Sequence, residues 1–194
     1  MPRQVKPAAG RRLATLAVLV VIFSAHAAAA QNGSYVVPND YPPIDDAYYR
    51  GMDAARKRDY AEALKWHHIA ADHGDPRAQY ALGQMNDAGV GMPQDYEEAI
   101  KWWRRSADQG YAMAQCDLGI AYVHGKEVTQ DFVRAHMWLN LAAAAPASAY
   151  PRGVETSYRQ LCLEQRNLVA RKMTFAQIAE AQKLASEWKP KPER

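Results

Sequence analysis

The residue types best suited to chemistry here are two cysteines, a group of histidines and some adjacent acids, and their spacing decides what each could do. Cys116 and Cys162 are the only cysteines. As a pair they could form a disulfide joining two helices. As separate residues they would be small buried side chains, and the even count leaves both readings open. His67, His68 and His73 invite a metal, but zinc ligands sharing one helix face recur at i and i+4. Their actual spacing misses that offset and no cysteine is near, so a solvated helix face is the expectation. Glu97/Glu98 and Asp45/Asp46 are sequence neighbours that point in different directions on a helix, and they read as caps and surface charge. The sequence has no nucleophile elbow, P-loop or dinucleotide glycine fingerprint. No catalytic residue, cofactor or metal site is therefore expected, and the chain reads as a non-enzyme.

The elements that carry these residues repeat. DYAEALKW opens at Asp59, DYEEAIKW at Asp95 and DFVRAHMW at Asp131, a period of 36 residues. A fixed period of this size marks a solenoid, in which each unit is one supersecondary element that buries its apolar face only against its neighbours. Ala63, Ala99 and Ala135 precede Trp66, Trp102 and Trp138 by three positions, and Ala70/Ala71, Ser106/Ala107 and Ala142/Ala143 follow on the same helical stripe. Ala78, Leu82 and Gly83 match Ala114, Leu118 and Gly119. A glycine inside a helix costs about 1 kcal/mol against Ala, so its recurrence points to a contact too close for a side chain. Asp59, Asp95 and Asp131 are placed as N-caps, with Glu62 and Glu98 as capping-box partners. Gly74 and Gly110 end those helices, and Gly89 to Gln94 and Gly125 to Gln130 form the longer loops. The spacing predicts an all-α, right-handed solenoid of antiparallel helix pairs without strands.

The combination A-x-x-x-L-G, then G-x-x-x-x-Q-D-Y-x-x-A-x-K-W, then A-D-x-G resembles the Sel1-like repeat family, relatives of the tetratricopeptide repeats with a longer loop. Arg166 to Thr174 and Glu187-Trp188-Lys189-Pro190 are similar to the terminal segment of bacterial members. Asn86 stands where a tyrosine is usual, and the pattern lapses around Pro146 to Arg152. The resemblance implies a scaffold that binds another protein or peptide. The alternative it offers is a cell-envelope hydrolase or beta-lactam-binding protein of the cysteine-rich type, although Cys116 and Cys162 do not share one unit as the cysteines of those relatives do.

Residues 1–30 read as a secretory signal peptide: Arg3, Lys6, Arg11 and Arg12, an apolar run from Leu13 to Phe23, then an alanine-rich stretch before Gln31. Residues 31–43 read as an extended linker. The solenoid occupies 44–188, with units at about 44–74, 75–110 and 111–146 and capping helices over 152–188. Thr174 to Gln177 is a capping box, Ile178, Ala181, Leu184, Ala185 and Trp188 line the apolar face of the last helix, and 189–194 reads as a disordered tail. Four of the 24 Lys/Arg lie in the leader, leaving 20 against 21 acidic residues. That balance argues against nucleic acid or an anionic membrane as partner. With the leader removed, no membrane insertion is expected, and a bacterial periplasmic or secreted location follows.

The remaining candidate is the concave surface lined by the first helix of each unit. Its expected partner-binding positions are Tyr48, Met52 and Arg56, then Arg77, Tyr80, Gln84 and Asp87, then Met113, Ile120, Val123 and His124. Tyr, Met and Arg are enriched at interface cores.

Overall fold

The computed structural model describes residues 43–125, 127–151 and 153–193. The leader, and the linker up to residue 42, lie outside the described residues. Eight α-helices follow one another among the described residues, without strands: α1 (Pro43–Arg56), α2 (Tyr60–Asp72), α3 (Pro76–Ala88), α4 (Tyr96–Asp108), α5 (Ala112–His124), α6 (Phe132–Ala144), α7 (Glu155–Ala170) and α8 (Phe175–Glu187). A short 3-10 turn, Ala147–Ala149, separates α6 from α7. Each helix from α1 to α6 packs on its successor, and α6 also receives α8. The result is a right-handed solenoid in which α1, α3, α5 and α7 form one face and α2, α4 and α6 back it.

The unit boundaries repeat bond for bond. Asp59, Asp95 and Asp131 accept the backbone N–H of Glu62, Glu98 and Arg134. Glu62 and Glu98 do not complete a capping box. The N–H groups they would have served already donate to carbonyls of the preceding helix, Asp59 to Ala54 and Asp95 to Asn86. Glu62 instead accepts from the Trp66 indole N–H at 2.6 Å, and Glu98 pairs with Lys101. The true capping box is at α8, where Thr174 and Gln177 satisfy each other's backbone. Gln94 and Gln130 each donate back to a carbonyl seven residues upstream, closing the two long loops alike. The Asn86 departure is harmless for this reason: its carbonyl accepts from Asp95, as that of Tyr122 accepts from Asp131.

The close contact at the helical glycines comes from a column the sequence pattern conceals. Gly51, Gly83 and Gly119 receive His67, Trp103 and Leu139, each one residue beyond the recurring tryptophan. A Cβ at Gly83 would stand 2.3 Å from the Trp103 ring. That ring is 7% exposed and has no room to withdraw. Gly83→Ala should therefore destabilise by about 1–3 kcal/mol, the cost of overpacking, although alanine is the better helix former. A thermal midpoint equal to or above that of the native chain would overturn this packing.

At the C-terminal end α8 lays Ala181 and Ala185 on the stack and sets Trp188 edge-on to Trp138, with ring centroids 6.1 Å apart. Leu184 belongs to the expected apolar face but is exposed: α8 packs chiefly on α6, through Ala181 and Ala185. The tail expected to be disordered is held through residue 193. Lys191 N–H donates to the Asp108 carbonyl at 2.7 Å, and Glu193 pairs with Arg105 at 2.7 Å and accepts from Gln79. A helix end supplies the carbonyl and a guanidinium the counter-charge, so the segment needs no apolar residue to stay in place.

Candidate partner-binding face

The first-helix face is floored by tyrosine. Tyr49 and Tyr48 of α1 stack edge to face at 5.3 Å, and Arg77 at the start of α3 lies over Tyr48 at 4.6 Å. Arg77 is held there by Asp75, the N-cap of α3, whose carboxylate it chelates. Tyr111, just before α5, packs on Tyr80 at 5.3 Å. Tyr158 of α7 then meets Tyr80 hydroxyl to hydroxyl at 2.8 Å. This band crosses all four first helices.

At its centre is Asp117. The Tyr80 hydroxyl donates to it at 3.0 Å, the Tyr158 hydroxyl at 3.1 Å and Gln84 Nε2 at 2.6 Å. Gln84 also donates to the Tyr80 hydroxyl at 2.8 Å. Tyr80, Gln84 and Tyr158 are buried, while Asp117 keeps part of its surface open. Burial pushes the Asp117 carboxyl up to about 7 against the pull of its three donors, and the nearby Asp87 charge adds to the rise. Burial also raises the Tyr80, Tyr111 and Tyr158 hydroxyls, so these tyrosines stay protonated at physiological pH.

Several positions expected to meet a partner lie in the core instead. Tyr48, Met52, Tyr80 and Gln84 are nearly buried, and Met113 is completely so. Large side chains here lie down across the gap to the next first helix, as Tyr80 does toward Asp117, and become the floor of the face. Arg77, Asp87, Ile120 and Val123 are partly exposed, and Arg56 and His124 are exposed. Arg56 pairs with Asp53 on its own helix at 2.8 Å. Asp117, Tyr111 and Tyr158 were missed. Asp117 stands four residues after Met113 and three before Ile120, on the stripe that named both, so its signal was present. Tyr158 lies beyond the repeats, where no register reached it.

Cys116 and Cys162 are joined in a disulfide between α5 and α7, with Cα atoms 5.7 Å apart. His67 is buried against Gly51, and burial lowers its imidazole to about 4, while His68 and His73 are exposed. Among the described residues no group of His, Cys, Asp or Glu is arranged to hold a metal ion.

Antiparallel helix pairs at a 36-residue period, presenting one continuous face of first helices, define a helical-repeat solenoid. Sel1 repeats match residues 46–75, 76–111 and 112–146, and the chain belongs to the Sel1 repeat family. Two solved structures are similar. One is a protective antigen present in uropathogenic Escherichia coli strains that displays an SLR fold, with TM-score 0.63, 27% identity, and coverage of 75% of this chain and 29% of that protein. The other is a Sel1 repeat protein from Oxalobacter formigenes, with TM-score 0.50, 32% identity, and coverage of 55% of this chain and 84% of that one. The chain thus spans less than a third of the length of the first. No curated protein matches it significantly. Sel1 repeats generally serve as scaffolds for protein–protein interaction. No helix among the described residues is long and apolar enough to cross a membrane.

Proposed function

We propose that this protein is an exported scaffold that holds another protein or peptide against its first-helix face. The observation that carries the reading is the tyrosine-floored face with the half-buried Asp117 at its centre. The half-buried Tyr49 and Tyr111 give contact area at low entropic cost, and a floor already locked by hydrogen bonds spares the binder much of the ordering penalty. Export is supported by the order of charges, apolar run and alanines in residues 1–30, and by a disulfide that suits an oxidising compartment. The periplasm of a bacterium, or the medium outside it, is the location that fits.

The test is co-purification of the full chain, expressed with its leader, from a cell-envelope extract. It runs beside a variant carrying Asp87→Ala, Ile120→Ala and Val123→Ala, and beside Lys101→Ala on α4, behind the face. A partner kept by the native chain and by Lys101→Ala, but reduced at least tenfold by the triple variant, is the expected result. Equal recovery by all three would sink the assignment of this face.

A further inference from the structure

The Asp117 cluster has more acceptors than donors. Gln84 supplies two amide hydrogens and the Tyr80 and Tyr158 hydroxyls one each, while five pairings connect the cluster: Gln84–Tyr80, Gln84–Asp117, Tyr80–Asp117, Tyr80–Tyr158 and Tyr158–Asp117. Four hydrogens cannot serve five pairings. An extra proton on Asp117 would complete the set, in keeping with a carboxyl that releases its proton only near pH 7. The Gln84 amide points the same way independently. Gln84 is 5% exposed, both of its N–H groups are spent, and its Oε1 is buried without a partner. A buried acceptor left unpaired destabilises the fold until something donates to it. From α3 Asp117 meets Tyr80, Gln84 and the charge of Asp87, from α7 Tyr158, and Tyr111 stands beside Tyr80; Arg77 at the start of α3 lies on the same face, and His124 stands two turns beyond Asp117 on α5. Behind α5, Arg104 and Arg134 lie over Tyr122, and His136 responds to Arg166.

We propose that the notch formed by Tyr80, Gln84, Asp117 and Tyr158 receives the protonated side-chain amine of a lysine presented by the partner on this face. The inference rests on the scaffold reading and specifies its partner's chemistry. What enters must donate, because the donors of the notch are spent, and it must neutralise a carboxylate. An ammonium has three donors around one point, which suits a compact set of acceptors. A guanidinium needs a flat, two-pronged acceptor edge, whereas Asp117 Oδ2 already accepts from Tyr80 and Gln84 and only Oδ1, met by Tyr158 alone, has capacity to spare, which suits a point donor. Ammonium binding also does what the fifth proton would do, so lysine competes with protonation of Asp117.

The experiment titrates the full chain with lysine blocked at both ends, Nα-acetyl-lysine amide, following the Asp117 carboxyl carbon by NMR. Only the ionised carboxylate binds. With Asp117 titrating at about 7, the ionised fraction rises from about a tenth at pH 6 to about nine-tenths at pH 8, and apparent affinity should rise about tenfold. Asp117→Asn keeps the shape of the side chain and should abolish both that pH dependence and the binding. Titration of the native chain needs no variant, so a poorly folded Asn variant leaves the test intact. Blocked norleucine, which lacks the amine, should not perturb Asp117. Equal affinity at pH 6 and pH 8, equal binding of norleucine, or tighter binding of blocked arginine or of ethylammonium would each overturn the proposal. If those results came while the face still captured its partner, the lysine notch would fall and the scaffold would stand.

Discussion

Trp102→Ala is expected to destabilise the protein by about 3–5 kcal/mol, the usual cost of truncating a buried large aromatic. At this chain length that corresponds to a fall of about 6–20 °C in thermal midpoint. Trp102 is 8% exposed in the middle of the stack. His68 of α2 meets its ring edge-on with centroids 5.6 Å apart, and the Arg105 guanidinium lies over it at 4.7 Å. The ring therefore joins consecutive second helices, and its loss removes that joint and leaves a cavity between them. Trp66 occupies the same column at the first unit and is half-exposed, with Arg50 over its ring. Trp66→Ala should cost well under half as much. Calorimetry on the two variants separates the cases, and an unchanged midpoint for Trp102→Ala would mean that this column does not hold the stack together.

The fold was legible because its physics is periodic. Each Asp cap, the glycine pairs Gly74/Gly110 and Gly89/Gly125, and each Ala-to-Trp stripe recur at 36 residues, so one unit's pattern corroborates the next. The column at His67, Trp103 and Leu139 escaped notice because three unlike side chains do one job there, filling the space above a glycine. Identity at matching positions finds residues whose chemistry is shared, while volume against an absent side chain can be met by many types. The tail was misread for a related reason: its anchors, the Asp108 carbonyl and Arg105, lie more than 80 residues upstream in the sequence.

The candidate site was legible in part. Helical spacing placed Tyr48, Tyr80 and Gln84 on the first-helix face, but it could not say whether a side chain stands out from that face or lies across it. Asp117 fell between Met113 and Ile120 and was passed over because carboxylates on a helix are usually solvated. What makes it unusual is Tyr158, brought from α7 by a crossing that no repeat register predicts.

That crossing is fixed covalently, and removing the bridge should have the second large effect. α7 packs mainly on α6 and touches α5 only lightly. The Cys116–Cys162 bond and the Tyr158 hydroxyl are what tie α7 to α5. For cysteines 46 residues apart, loop-closure entropy gives about 4 kcal/mol at 25 °C. Cys116→Ala/Cys162→Ala should lose about that much, read as a reductant-insensitive fall in denaturation midpoint, while the native chain falls by a similar amount only when reductant is added. The binding face should change as well. Asp117 follows Cys116 directly and Tyr158 lies one turn before Cys162, so freeing α7 withdraws one hydrogen-bond donor from the carboxylate and opens it to water. Loss of the donor raises a carboxyl pKa and rehydration lowers it. Burial is the largest influence on Asp117 in the intact protein, so rehydration should win and move its titration down from about 7 toward the ordinary carboxylate range. Asp117 titrating near 7 in the bridgeless variant as well would show that Tyr80 and Gln84 enclose it without α7, and that the disulfide stabilises the stack without shaping the site.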